Sequence, residues 1–300
     1  IFDQIVVPDT VQDVVASRID RLGEEPRRAL QLASIIGREF TQRLLDRITD
    51  LQQSTDDCLR DLQAIELIYE KALYPELAYM FKHALTQDVA YGSLLARQRR
   101  ELHQKVGEAI EELYADRLAE HSAVLGHHFA RAEQWPKAAN YFEQAADHAA
   151  AAFAVPEAIA LCDQAIEARD RSGAKSAPRK IAKLYEKKAE LLVAVSDFRG
   201  AFEAYEQEAK LGHELANPLL EGSALAGMGL AALFLHDFEA SLALSVRTIK
   251  IGSDLESPEL QAAGQWNQGF VQAVTARLDE SRASFEAAHG LGEAANSPFH

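Results

Sequence analysis

Cysteine is nearly absent: Cys58 and Cys162 are the only two in 300 residues. They form no Cys-x-x-Cys pair, which excludes a zinc knuckle and a disulfide framework and suits a reducing, cytoplasmic setting. Long apolar runs are lacking as well. The longest, ALAGMGLAALFL at 224–235, falls short of the ~20 residues that a membrane span needs, and no signal-peptide pattern is present. Basic charge is in deficit, with 31 Lys and Arg against 46 Asp and Glu and a net charge of −15. Such a field repels phosphate backbones and anionic membrane surfaces, so neither nucleic acid nor membrane is an expected partner.

Catalytic signatures are missing too. There is no Gly-x-Ser-x-Gly, no Cys/His nucleophile pair and no spaced carboxylate pair, so the chain reads as non-enzymatic. SGAKS at 172–176 lacks the glycine directly before Lys175 and the preceding strand that a phosphate loop requires; it reads as an inter-helix loop. His121, His127 and His128 share one predicted helix, but His127 and His128 are adjacent and point in different directions, and no metal site is expected.

What is present is a folded composition, 48% hydrophobic and 26% charged, long enough for two ordinary domains. The chain opens on IFDQIVVPDT without a methionine and reads like the inside of a larger protein. Residues 1–96 form one expected unit. Val11, Val14, Val15, Ile19 and Leu22 make a helical stripe, with Thr10 and Asp13 suited to its start and Gly23 to its stop. A second helix runs through EEPRRALQLASIIG with Pro26 in its first turn and Gly37 past its end. Thr41 is suited to cap a third, and a fourth spans 54–64. LIYEK and LAYMFK then read as a hairpin with Pro75 in its loop. Leu77, Tyr79, Phe81 and His83 have one parity, and a helix from about Ala84 to Leu95 closes the unit. Helices followed by a hairpin predict a winged helix-turn-helix. The helix in the recognition position, STDDCLRDLQA, carries Asp56, Asp57 and Asp61 against Arg60 alone, which suits packing better than groove reading.

From 97 onward the pattern is helix after helix. RELHQKVGEAIEELY sets Leu102, Val106, Ile110 and Leu113 on one face. WPKAANYFEQA, VPEAIALCDQA, FRGAFEAYEQE, FEASLALSVRT and LDESRASFEAA then align without gaps, from 135, 155, 198, 238 and 278. Each has a small residue at its fourth position: Ala138, Ala158, Ala201, Ser241 and Ser281. The last position is small in four; Glu208 is the exception. Twelve residues before four of the small residues stand Gly126, Ala189, Gly229 and Gly269. Small residues at this spacing let helices approach closely. The last three copies are 40 apart, the copy at 155 reads as a lone helix or a distorted repeat, and RSGAKSAPRK at 171–180 reads as an interruption.

This pattern, best in LGHHFARAEQWPKAANYFEQA at 125–145, resembles the tetratricopeptide repeat, a helix–turn–helix unit that stacks into a right-handed α-solenoid. Together with the winged-helix domain and small β-hairpin read over 1–96, the resemblance implies a mainly α fold with a solenoid over 97–300. It implies that the concave face includes Glu186, Glu190, Leu230, Trp266, Asn267 and Phe270, with Trp266 and Phe270 as anchors for a protein or small effector. VPDTVQDVVASRIDRLGEEPRRALQLASIIGREF followed by YMFKHALTQDVAYGSLLARQRRELHQKVGEAIEELY further resembles the region after the nucleotide-binding domain of STAND-class bacterial signalling ATPases, above all those fused to class III adenylate/guanylate cyclase domains. That resemblance implies a regulatory, non-catalytic role, an intramolecular contact with an upstream ATPase domain, and a phosphate contact for His83. ATP and ADP enter only through that upstream domain; no cofactor is expected in this chain. Ala84 follows His83 where the best-known motif has Asp, and Lys82 is a weaker candidate for the same phosphate. His83 as a helix-capping or packing residue stays open. So do a homo-oligomer, a winged-helix transcription regulator and a plain scaffold.

Overall fold

The helical periodicity is realised in fifteen helices among the described residues, joined by three short strands. The structure, a computed structural model, describes residues 9–51, 54–73, 76–174 and 177–294. The chain divides into two compact units, Ile1–Ala138 and Ala139–His300.

In the first unit, α1 (Asp9–Asp20), α2 (Glu24–Ile36), α3 (Gln42–Ile48) and α4 (Thr55–Ala64) precede a hairpin, β2 (Ile68–Ala72) and β3 (Ala78–Phe81). The expected hairpin is joined by a third strand, β1 (Glu39–Thr41), giving an antiparallel sheet ordered β1-β3-β2 in which Phe40 pairs with Tyr79 and Ile68 with Phe81. Phe40 stacks on Tyr79 at 5.8 Å and tilts against Phe81 at 5.9 Å. Phe40 and Phe81 are 2% and 0% exposed, and each such ring is worth roughly 1.5–3 kcal/mol of burial. Thr41 caps α3 as expected, accepting from the Leu44 N–H at 3.3 Å. The first helix departs from expectation. Val14 is 61% exposed, and among the described residues of the stripe only Ile19 is fully buried; α1 packs against α5. It starts at Asp9, so Thr10 lies inside it, and Gly23 is the N-cap of α2. The side chains of Thr10 and Val11 lie outside the described residues, as do Pro75 and Lys175. Helices α5 (Ala84–Gly92), α6 (Ala96–Leu113) and α7 (Leu118–Arg131) complete the unit, with Leu102, Val106 and Ile110 of α6 buried.

The repeat region is built on a twenty-residue module. Helices α8 (Trp135–Ala151), α9 (Val155–Ser172), α10 (Ala177–Ala194), α11 (Phe198–Glu214), α12 (Pro218–Phe234), α13 (Phe238–Asp254), α14 (Pro258–Val274) and α15 (Leu278–Ala294) follow one another. Ser196, Ala216, His236, Glu256 and Ala276 each adopt a positive φ after a helix. Asp197, Asn217, Asp237 and Ser257, one residue later, each accept from the backbone N–H three positions on. One capped helix with its left-handed turn thus occupies twenty residues, and the period of 40 is two of them. The copy at 155 is one module after that at 135, and α9 packs on α10. Helix covers most of 171–180, since α9 runs to Ser172 and α10 starts at Ala177.

The twelve-residue spacing also has a structural cause. Ser241 Oγ donates to the Gly229 carbonyl at 2.7 Å and Ser281 Oγ to that of Gly269 at 2.9 Å. Each bond needs two backbones in close approach. A Cβ on Gly269 would lie 2.9 Å from the Phe285 ring.

Candidate effector-binding surface and nucleotide contact

The six residues expected on a concave face lie on α10, α12 and α14. In the second unit α12 packs on both α13 and α14, so first helices of successive repeats are neighbours. Trp266 and Phe270 stand one turn apart on α14, 43% and 37% exposed. Their rings meet edge to face at 5.3 Å, and Phe285 of α15 closes a three-ring cluster at 5.2 and 5.3 Å. Phe285 was not among the expected residues; its place two turns into the last repeat copy, one turn after Ser281, carries the signal. Asn267 is 4% exposed, and its amide donates to the Ala226 carbonyl at 2.8 Å. It ties α14 to α12 from within instead of facing outward. Leu230 is half-buried.

Glu186 and Glu190 are a turn apart on α10, half-buried and exposed respectively. The structure brings to them Glu208 of α11, which is 0% exposed. Both Glu208 carboxyl oxygens are buried and accept no hydrogen bond. Burial, and then the Glu186 and Glu190 carboxylates, push the Glu208 carboxyl up to about 8. Tyr205, one turn before it, is pushed up to about 12 by burial and by the same three acids.

His83 is the N-cap residue of α5, with extended backbone. Its carbonyl accepts from Thr86 N–H at 3.0 Å, while its imidazole is exposed and makes no capping hydrogen bond. Tyr79 and Phe81 of the same parity are buried; His83 lies past the end of β3, where the sheet no longer covers that face. Lys82 Nζ is paired with Glu66 Oε2 at 2.6 Å. On α4, Arg60 pairs with Asp57 at 2.9 Å, so the cation of that acidic helix is already engaged.

The histidines of α7 have other partners than a metal. His128, 5% exposed, is hydrogen-bonded to His103 of α6 across an Nδ1–Nδ1 contact of 3.0 Å, and His103 Nε2 meets the Tyr91 hydroxyl at 3.1 Å. Burial and neighbouring cations push His103 down to about 4. Burial, and then His103 and His127, push His128 down to about 3. His121 lies against the Tyr114 ring at 4.4 Å. Among the described residues no group of three or more His, Cys, Asp and Glu is placed to hold a metal ion, and no helix is long and apolar enough to cross a membrane.

No family model matches this chain, and no curated protein matches it. Solved structures do. The apo form of RapI is 10% identical over 95% of this chain and 71% of its own, with a TM-score of 0.51. A putative kinesin light chain with nearly identical TPR-like repeats, from Podosopora anserina, is 14% identical over 67% and 92%, with a TM-score of 0.48. A signal transduction ATPase with numerous domains (STAND) bearing a tetratricopeptide repeat sensor, from Pyrococcus horikoshii, is 13% identical over 95% and 53%, with a TM-score of 0.30. At these identities the likeness is one of fold: a mainly α, tetratricopeptide-like array of helical repeats.

Proposed function

We propose that this chain is the non-catalytic regulatory and sensor region of a bacterial, cytoplasmic STAND-type signalling ATPase, coupled to a class III nucleotide cyclase. In this reading 1–96 is a winged-helix domain and 97–300 a solenoid that binds a protein or small effector. The observation that carries the sensing role is the Trp266–Phe270 pair, two large rings left in contact with solvent on a first helix of the array. Large aromatic side chains in such settings are the usual anchors of an interface. The switch role rests on His83, whose imidazole is exposed and unused by the cap at the N-terminus of α5. An imidazole N–H donates to phosphate, and a helix N-terminus favours an anion.

In operation, a nucleotide on the upstream ATPase domain meets His83 and the closed ADP state is held. Effector binding on the solenoid shifts the population towards the ATP state, which requires unequal affinity for the two states. ATP and ADP belong to the upstream domain. The test uses the full-length protein. His83→Ala is expected to speed ADP release and raise ATPase or cyclase output; unchanged ADP retention and output refute the switch role. A phosphate loop is expected ~200–300 residues before Ile1, one or two domain lengths, and its absence refutes the class.

A further inference from the structure

Glu208 breaks the pattern of its own repeat. At the matching positions of the other copies stand Ala145, Ala165, Thr248 and Ala288, all 5% exposed or less. In those four copies the helices meet with a small side chain between them. A carboxyl with both oxygens buried and no donor is one of the more costly groups a core can hold, so local packing alone does not account for it.

Its surroundings are graded by exposure. Glu190 is exposed, Glu186 is half-buried and Glu208 is enclosed, and all three interact electrostatically with one another and with Tyr205. Lys187, the neighbouring cation on α10, is paired with Asp147 and acts on Glu190, but it is not among the groups that act on Glu208. The three carboxyls are not placed as a metal-ligand set. What Glu208 itself lacks is a compact cation that brings several N–H donors.

We propose that Glu208, with Glu186 and Glu190, is a recognition site for a lysine or arginine side chain presented by a peptide or protein effector. The proposal rests on the reading of the solenoid as an effector-binding array. Glu186 and Glu190 have long, rotatable side chains that draw the cationic head inward, and its N–H groups satisfy the two Glu208 oxygens. Glu208 is protonated in the free protein at neutral pH, so binding moves one proton: the acid form plus the cation gives the carboxylate–cation pair, and the proton passes to the buffer. Affinity therefore rises with pH towards the Glu208 value and is sensitive to salt.

The experiment selects a displayed library of random linear dodecapeptides on the full 300-residue chain. Enrichment of Lys or Arg is expected. The best peptide is then titrated calorimetrically at pH 7 in two buffers of different ionisation enthalpy, against wild type, Glu208→Gln and Glu190→Gln. Both variants are expected to weaken binding at least tenfold, as is norleucine in place of the peptide's Lys. Proton release is expected with wild type and not with Glu208→Gln. Glu190→Gln changes an exposed side chain, so its effect cannot come from misfolding. Peptides without basic residues that bind all three proteins alike, yet are lost on Trp266→Ala, overturn this inference and leave the effector reading standing. A library that yields no binder overturns both.

Discussion

Acid should loosen the first unit through His103 and His128. Both imidazoles are held neutral in the folded state, with values of about 4 and about 3, against about 6.5 in an unfolded chain. Depressed values mean that the unfolded state binds more protons below pH 6.5. The stabilisation is thus fully present above pH 6.5 and is lost as pH falls towards the folded values. At pH 5 each imidazole contributes about 2 kcal/mol to that loss, so the pair contributes roughly 4 kcal/mol between pH 7 and pH 5 as an upper limit. The perturbation is the double replacement His103→Phe, His128→Leu, combined with Tyr91→Phe so that no hydroxyl is left without its partner. Urea unfolding at pH 7 and pH 5, followed by circular dichroism, gives the change in stability, and hydrogen exchange localises it to α6 and α7. Wild type should lose several kcal/mol more on acidification than the triple variant. Equal losses would refute the reasoning, because the two imidazoles would then titrate alike in the folded and unfolded states.

Four further outcomes are expected. Glu208 titrates in the opposite sense: its folded value is raised to about 8, so stability is fully present below its ordinary value and falls as pH rises through 8. Glu208→Gln should remove a loss on the order of a few kcal/mol between pH 5 and pH 9, read from melting curves across that range. Asp237→Ala deletes the acceptor for the Ala240 N–H, 3.0 Å away, and should cost about 1 kcal/mol in urea unfolding. Ala276→Gly relieves a left-handed residue at φ 61 and should stabilise the last repeat by about 0.5–1 kcal/mol, the left-handed penalty less the added chain entropy, measured in the same way. Gly269→Ala drives a methyl into the Phe285 ring and should destabilise by about 1–3 kcal/mol, with a change in Trp266 fluorescence as the ring cluster shifts.

The repeat array was legible because helical periodicity and small-residue spacing are local properties. Ala201, Ser241 and Ser281 announce close helix contacts wherever they occur, and the structure supplies the hydroxyl-to-carbonyl bonds behind the spacing of twelve. The hairpin was legible from its aromatic, β-branched runs. Strand β1 was not, since three residues carry no measurable alternation and Phe40 becomes a strand residue only by pairing with Tyr79. The exposure of Val14 was equally hidden, because a helical stripe says nothing about how wide a surface exists to cover it.

The candidate sites divide in the same way. Trp266 and Phe270 could be named as a helical pair from spacing alone, but Asn267, between them in sequence, turns inward to hold Ala226. His128 could be seen to diverge from His127, yet its partner His103 lies on another helix. Glu208 stood out in the sequence as the one large residue in a column of small ones. By itself, then, the sequence determined the helical array, its forty-residue beat and the residue that breaks it, because these depend on the order of side chains along a helix. Only the tertiary structure decided that Glu208 is enclosed, unpartnered and flanked by Glu186 and Glu190, because burial and electrostatics depend on which helices meet across the fold.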